Sequence, residues 1–287
     1  MTTSEEFRQN RDNFCYRHPD RQSFVLCQRC LRTICPQCQT QGAVGVICPE
    51  CMKEQRASQS PAQRKAQRRW VRGPVAVGTQ RPTATYVIIA ITAAAFVLQL
   101  FFPAFENALA FNSAYVIPSV AFEPWRLLTS VFLHSSFWHI GLNMLALWMI
   151  GRSLEPLLGH TRFVVLYLLS GLGGSVGVAL LAPGIWVVGA SGAVFGLLGA
   201  LLVIGRHIGA NITGILIVLG LNLVIGFLPG YNIAWQAHVG GLVVGGLIGL
   251  IYAGTRTRNA RVLQISLLVA VGVALLALLI IPAVFYV

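Results

Sequence analysis

Four polar side chains stand out because nearly everything around them is apolar: His139 and Asn143 in one hydrophobic stretch, Ser191 at the head of another, His238 near the start of a third. Such groups are costly in apolar segments and usually carry function. A serine hydroxyl is a weak nucleophile until a base takes its proton, and imidazole is the commonest base. His238 is the candidate base, with His139 the other imidazole at hand. Acyl transfer also needs donors for the tetrahedral oxyanion, each worth about 2.7–4 kcal/mol. His139, Asn143 and the backbone N–H of Ser191 are the candidates. His139 and Asn143 are four residues apart and share a helix face. Ser191 lies in Gly189-Ala190-Ser191-Gly192, where glycine permits a tight turn and close approach. It also opens a helix, whose free N–H groups and positive dipole end favour a developing anion. No carboxylate shares this level, so a Ser–His dyad is expected rather than a triad. The bland alternative is a serine that merely caps a helix.

A second group of reactive side chains lies near the N-terminus, as Cys15-x2-His18, Cys27-x2-Cys30, Cys35-x2-Cys38 and Cys48-x2-Cys51. All seven cysteines fall there, and an odd count suits a disulfide framework poorly. Four two-residue-spaced pairs suit two tetrahedral zinc ions, each pair gripping one metal from a tight turn. Metal binding would then drive the folding of so small a module. Spacing does not fix which pairs share a metal; a cross-braced scheme, first pair with third, is preferred. Redox-active Cys-x2-Cys is the alternative, but the strand–helix context it needs is missing. No helix rich in base-reading side chains accompanies the pairs, so a cytoplasmic protein partner is expected rather than nucleic acid.

The surrounding chain must position these groups. Of its residues 55% are hydrophobic and only 10% charged, too apolar for one soluble domain. Residues 1–83 hold 14 of the 21 Lys+Arg and 6 of the 9 Asp+Glu. Four parts are expected: the cysteine module over 12–52, a basic linker over 53–83, a six-span core over 84–253 and one further helix over 262–286. Met1–Arg11 is polar, so no cleavable signal peptide is expected and the head is placed in the reducing cytoplasm. Seven apolar stretches approach the roughly 20 residues a spanning helix needs. They run from about Thr85 to Phe102, Phe137 to Ile150, Phe163 to Leu181, Ser191 to Gly205, Ile212 to Leu228, Trp235 to Ala253 and Val262 to Phe285. Arg152, Arg162, Arg206, Arg256, Arg258 and Arg261 flank one set of ends, while Ala182–Ala190 and Pro229–Ala234 carry no charge. The positive-inside rule therefore puts the N-terminus in the cytoplasm and the C-terminus outside a multi-pass cell-membrane protein. The same rule accounts for the formal charge of +12 without nucleic acid. Spans two, four and six then run outside to inside, which brings His139, Asn143, Ser191 and His238 to one depth near the outer face. Glycines spaced by four, such as Gly192 with Gly196 and Gly241 with Gly245 and Gly249, predict close helix packing. His134 reads as a structural loop residue, His160 and His207 as incidental, and Glu155 as the anchor of a loop just past span two.

At this point the residues meet a known pattern. His134-x4-His139-x3-Asn143, Gly189-Ala190-Ser191-Gly192 and Ala237-His238-Val239-Gly240-Gly241, with Trp125-Arg126 and Gly151-Arg152-x2-Glu155, resemble the rhomboid intramembrane serine proteases. The resemblance covers roughly residues 84–253. It implies an all-α, seven-span (six-plus-one) bundle. Ser191 would be nucleophile, His238 general base, and His139 and Asn143 oxyanion donors, with no catalytic cofactor. The substrates it implies are transmembrane proteins cut near the extracytoplasmic face, admitted past span five as a lateral gate. Phe195 departs from those members that place a tyrosine four residues after the serine; it keeps the ring that stacks on the histidine and loses the hydroxyl. The cysteine module resembles a B-box-type zinc finger, as on some actinobacterial rhomboids, which implies two structural Zn2+. The rival from another class is a non-catalytic rhomboid-like scaffold that binds transmembrane helices and carries a regulatory zinc head.

Overall fold

The computed structural model describes residues 10–41, 45–58, 81–227 and 233–285. Of the expected linker over 53–83, residues 59–80 lie outside the described residues, as do 228–232 of the loop before the sixth expected span. The chain divides into two compact units, Met1–Ala66 and Gln67–Val287.

The N-terminal unit is built from short pieces. Strand β1 (Phe14–Cys15) pairs antiparallel with β2 (His18–Gln22), and β3 (Thr40–Gln41) with β4 (Val46–Ile47). Helix α1 (Pro49–Ala57) follows, with Cys48 at its N-cap accepting from Cys51 N–H. Its buried cluster is six cysteines and Ile34. So little apolar side-chain volume cannot hold a fold of this size by burial alone.

The second unit is helical, with seven long helices among the described residues, at the seven expected positions. They are α2 (Thr83–Phe101), α5 (Phe137–Leu158), α6 (His160–Leu181), α7 (Ser191–Ile208), α8 (Thr213–Phe227), α9 (Trp235–Gly254) and α10 (Arg261–Leu278), the last prolonged by α11 (Ile280–Phe285). Five of these segments are long and apolar enough to cross a membrane unaided. The 22 residues of α5 carry His139, Asn143, Arg152 and Glu155, and α8 has only 15 residues. Between α2 and α5 the chain forms α3 (Pro103–Leu109), a ribbon of β5 (Val116–Ile117) with β6 (Ala121–Phe122), and α4 (Arg126–Thr129). The bundle is the helical one expected, with one short ribbon, β5–β6, in the segment before α5.

Helices α6, α7 and α9 form the buried centre, while α2 and α10 turn most of their surface outward. What joins the centre is the lack of side chains. A Cβ on Gly241 would fall on the Gly192 carbonyl, and one on Gly245 on the Gly196 carbonyl; one on Gly249 would meet the Ala200 Cα at 2.9 Å. Three successive turns of α9 thus lie backbone to backbone against three turns of α7. Helix α6 closes on both, since a Cβ on Gly174 would stand 3.1 Å from Ala237 O and 3.3 Å from the Gly192 Cα. With no hydrophobic drive between helices in lipid, such close packing supplies the attraction.

Two polar links tie the outer helices to this centre. Glu155, 1% exposed, accepts from Ala84 N–H (2.8 Å), Thr85 N–H (2.8 Å) and Thr85 Oγ1 (2.6 Å), capping the first turn of α2. His160 Nδ1 meets Oε1, the oxygen that also accepts from Ala84 N–H. Both readings of the sequence are corrected here: α5 continues to Leu158, so Glu155 anchors a helix start rather than a loop, and His160 is its partner rather than incidental. On α10, buried Gln264 accepts from Arg162 Nε (2.9 Å) and donates to Thr255 Oγ1 (2.7 Å).

Gly245→Val should therefore lower the unfolding temperature in detergent sharply, since overpacking costs about 1–3 kcal/mol even where neighbours can move. Gly254→Val, with open space where its Cβ would go, is the control expected to change little.

Candidate active site and metal-ligating clusters

Ser191 is the first residue of α7, and the preceding turn is set by Gly189 at φ 130°, outside the range side chains favour. Gly189 is also required by space. A Cβ there would lie 2.7 Å from both Cε1 and Nε2 of His139, and 3.8 Å from Ser191 Oγ. The imidazole of α5 and the hydroxyl of α7 thus flank one glycine. His139 is held from behind: Ser135 Oγ lies 3.1 Å from its Nδ1, and its backbone N–H donates to Ser136 Oγ at 3.2 Å. Asn143, one turn further along α5, is buried and donates one amide hydrogen to His139 O at 2.9 Å.

His238 arrives from α9. Its ring stacks on Phe195 with centroids 4.1 Å apart and planes 9° from parallel. Phe195 is four residues after Ser191, hence on the same face of α7 and one turn along. The stack and the glycine contacts together bring His238 against the Ser191 end of α7. Among the described residues no hydrogen bond joins Ser191 to His238, and His238 Nδ1 is buried without a partner. Catalytic hydrogen bonds are often long before substrate binds.

The structure also brings in a residue the sequence did not single out for this site. His134 is buried in the segment before α5, meets the His139 ring edge-on at 4.9 Å, and accepts the Ala190 N–H through Nε2 at 3.4 Å. Burial, reinforced by the nearby His139, pushes its imidazole down to about 3. It is therefore neutral, and with Nε2 accepting, Nδ1 bears the proton. The sequence signal was its spacing of five from His139. The segment between α2 and α5 is pinned by Arg126, whose Nη1 donates to Asn107 O (2.6 Å) and Ala110 O (2.9 Å) while Nε meets Glu123 (2.5 Å). Phe111 pairs with Val187 across an antiparallel bridge, tying this segment to the loop before Ser191.

In the N-terminal unit the eight paired ligands gather into two sets, Cys15, His18, Cys35 and Cys38, and Cys27, Cys30, Cys48 and Cys51, each with ligand atoms within 4.8 Å of one another. First pair joins third and second joins fourth, as the cross-braced scheme expects. His18 Nδ1 stands 3.8, 3.4 and 3.3 Å from the sulfurs of Cys15, Cys35 and Cys38. A tetrahedral zinc with ordinary bond lengths would give about 3.6 Å. In the second set Cys30 and Cys48 sulfurs are 3.8 Å apart, and Cys48 N–H donates to Cys27 Sγ at 3.2 Å. Burial raises the Cys15 thiol, but backbone N–H groups of Cys35 and Arg17 and the His18 ring outweigh it and bring it down to about 6. Burial and the neighbouring Cys15 and Cys35 sulfurs push Cys38 up to about 11. Sulfurs this close cannot all be thiolates without a cation between them, and the two donor sets, three cysteines with His18 and four cysteines, fit a soft divalent ion.

A rhomboid domain matches residues 121–255. Rhomboid protease GluP of Bacillus subtilis (strain 168) is 36% identical over 216 residues, covering 68% of this chain and 40% of that protein. YdcA of the same bacterium is 35% identical over 142 residues, 48% of this chain and 71% of YdcA. RHOMBOID-like protein 5 of Arabidopsis thaliana is 42% identical over 139 residues, 45% of this chain and 44% of that protein. The chain thus spans less than half the length of GluP and of the Arabidopsis protein.

Gly189→Ala is expected to displace His139, because its Cβ would need the space the ring occupies. A loss of thermal stability of about 1–3 kcal/mol in detergent should follow, with Gly141→Ala, open on all sides, as the neutral reference.

Proposed function

Because the chain belongs to the rhomboid family, we propose that it is an intramembrane serine endopeptidase that cuts transmembrane proteins near the extracytoplasmic face. The observation that carries this reading is the meeting of three helices at one end of the bundle, with His238 stacked on Phe195 one turn from Ser191 and His139 beside Gly189. In the reaction Ser191 Oγ attacks the scissile carbonyl carbon while His238 Nε2 takes its proton. The oxyanion is held by the Ser191 N–H with His139 and the second amide hydrogen of Asn143. Collapse of the tetrahedral intermediate breaks the C–N bond, and the imidazolium gives its proton to the leaving amine. A water, deprotonated by His238, then releases the acyl group and restores Ser191. No cofactor is needed.

Helix α8 is the proposed entry point for the substrate helix. It is largely exposed, with Leu219 its one deeply buried apolar side chain among the described residues. The arginine-rich helix ends would face the cytoplasm, with the N-terminus inside and the C-terminus outside. The two ligand sets would each hold a structural Zn2+, making the head a rigid platform for a cytoplasmic partner.

Ser191→Ala and His238→Ala should each abolish cleavage of a membrane-anchored substrate in proteoliposomes while leaving the fold intact. Asn143→Ala should reduce kcat about 10²–10³-fold. A fluorophosphonate should label wild type at Ser191; failure to label a folded preparation would favour the non-catalytic scaffold. Elemental analysis should give two zinc ions per chain and one for Cys38→Ser, whereas a folded, metal-free head would refute the metal assignment.

A further inference from the structure

Beside the site lies a cavity of about 350 Å³, between α2, α3 and the start of α5, near the lower end of ligand-pocket sizes. Its apolar walls include Phe96 and Phe137, whose rings meet edge to face at 5.1 Å. Its polar lining includes Glu106, Gln99, His134 and Ser135.

The charge of Glu106 is unusual here. The membrane unit holds three carboxylates. Glu155 is satisfied by the α2 start and His160, and Glu123 is paired with Arg126 at 2.5 Å. Glu106 receives only the neutral amide of Gln99, at 2.9 Å. Among the described residues it is the carboxylate of this unit without a cationic partner. Among the described residues no arginine of the bundle is placed to supply one: Arg126 is taken, and Arg81, Arg152, Arg162, Arg206, Arg256, Arg258 and Arg261 belong to the other ends of the helices. A half-buried carboxylate beside aromatic rings is a setting that takes an ammonium or guanidinium group, by ion pairing and cation–π attraction.

The cavity also touches the reaction centre through two short chains of contacts. Gln99 accepts the His134 N–H (2.9 Å), and His134 in turn accepts the N–H of Ala190, next to Ser191. Ser135 lines the cavity and holds His139. A group lodged there would therefore lie alongside the reacting peptide.

We propose that this cavity is a specificity subsite for a lysine or arginine side chain of the substrate, bound by Glu106 against Phe96 and Phe137. This rests on the protease reading. The test is cleavage in phosphatidylcholine proteoliposomes of substrates carrying Lys, Arg, Gln or Glu at each position flanking the scissile bond. At one position Lys and Arg should exceed Gln in kcat/KM about tenfold, the scale of one charge-assisted hydrogen bond, and the gain should appear in KM. Glu106→Gln, which keeps the acceptor for Gln99, should bring that ratio near one, and Glu106→Lys should turn the preference toward Glu. A ratio near one at every position in wild type, or one that Glu106→Gln leaves intact, overturns the subsite. So does a wild-type rate that ignores the substrate's charge but rises with phosphatidylethanolamine and loses that rise in Glu106→Gln, since the cavity would then hold an aminolipid headgroup. Wild type that cleaves none of the substrates and takes no fluorophosphonate at Ser191 would instead sink the protease reading, and the subsite with it.

Discussion

The backbone contact between α7 and α9 governs most of what this protein can do. Gly192, Gly196 and Ala200 on one helix meet Gly241, Gly245 and Gly249 on the other at spacings no larger residue would allow on the α9 side. A repeat of four on both helices fixes their register as well as their separation. Ser191 precedes the first of these contacts by one residue, and His238 precedes its partner by three. Their meeting is thus decided along the whole interface rather than by any bond between them. The point matters because a Ser–His pair with no carboxylate lacks the hydrogen bond that usually orients the imidazole. Here His238 Nδ1 has no partner among the described residues, and the ring is held by stacking on Phe195. In the proposed dyad, packing would take over the task that a third polar residue performs in a triad.

Much of the arrangement was legible because membrane proteins restrict polar residues so strongly. His139, Asn143, Ser191 and His238 were conspicuous against apolar sequence, and arginine placement alone aligned them at one level. The cysteine pairs were equally plain, and their grouping followed the cross-braced scheme. Less legible was whatever depends on capping and loop contacts. Glu155 looked like a loop residue because hydrophobicity fades after Ile150, yet the helix continues to Leu158 and its carboxylate ends up on the first turn of α2. His160 follows from the same contact. His134 carried its signal in spacing, but its bond to Ala190 depends on a turn that no periodicity reveals. Glu106 gave no sign, since only the pairing of its two fellow carboxylates makes it exceptional.

The long segment between α2 and α5 has a separate logic. Its residues are too polar to pack as a span, and it folds around one buried guanidinium. Arg126 gathers two carbonyls and Glu123, with Tyr115 under its plane at 3.9 Å. Such a hub gives irregular backbone the hydrogen bonds it cannot make with itself. Through Phe111 and Val187 that rigidity passes to the turn that presents Ser191.

The two ligand sets of the head are threaded through one another along the chain. Cys27 and Cys30 fall inside the loop that His18 and Cys35 close, while Cys35 and Cys38 fall inside the loop closed by Cys30 and Cys48. No cut in the sequence separates one complete set from the other without breaking a loop. A ribosome releasing this segment would offer the first set its last ligand, Cys38, before the second set its last, Cys51. Each loop thus encloses one ligand pair of the other set, so the two sets share the stretch of chain between His18 and Cys48.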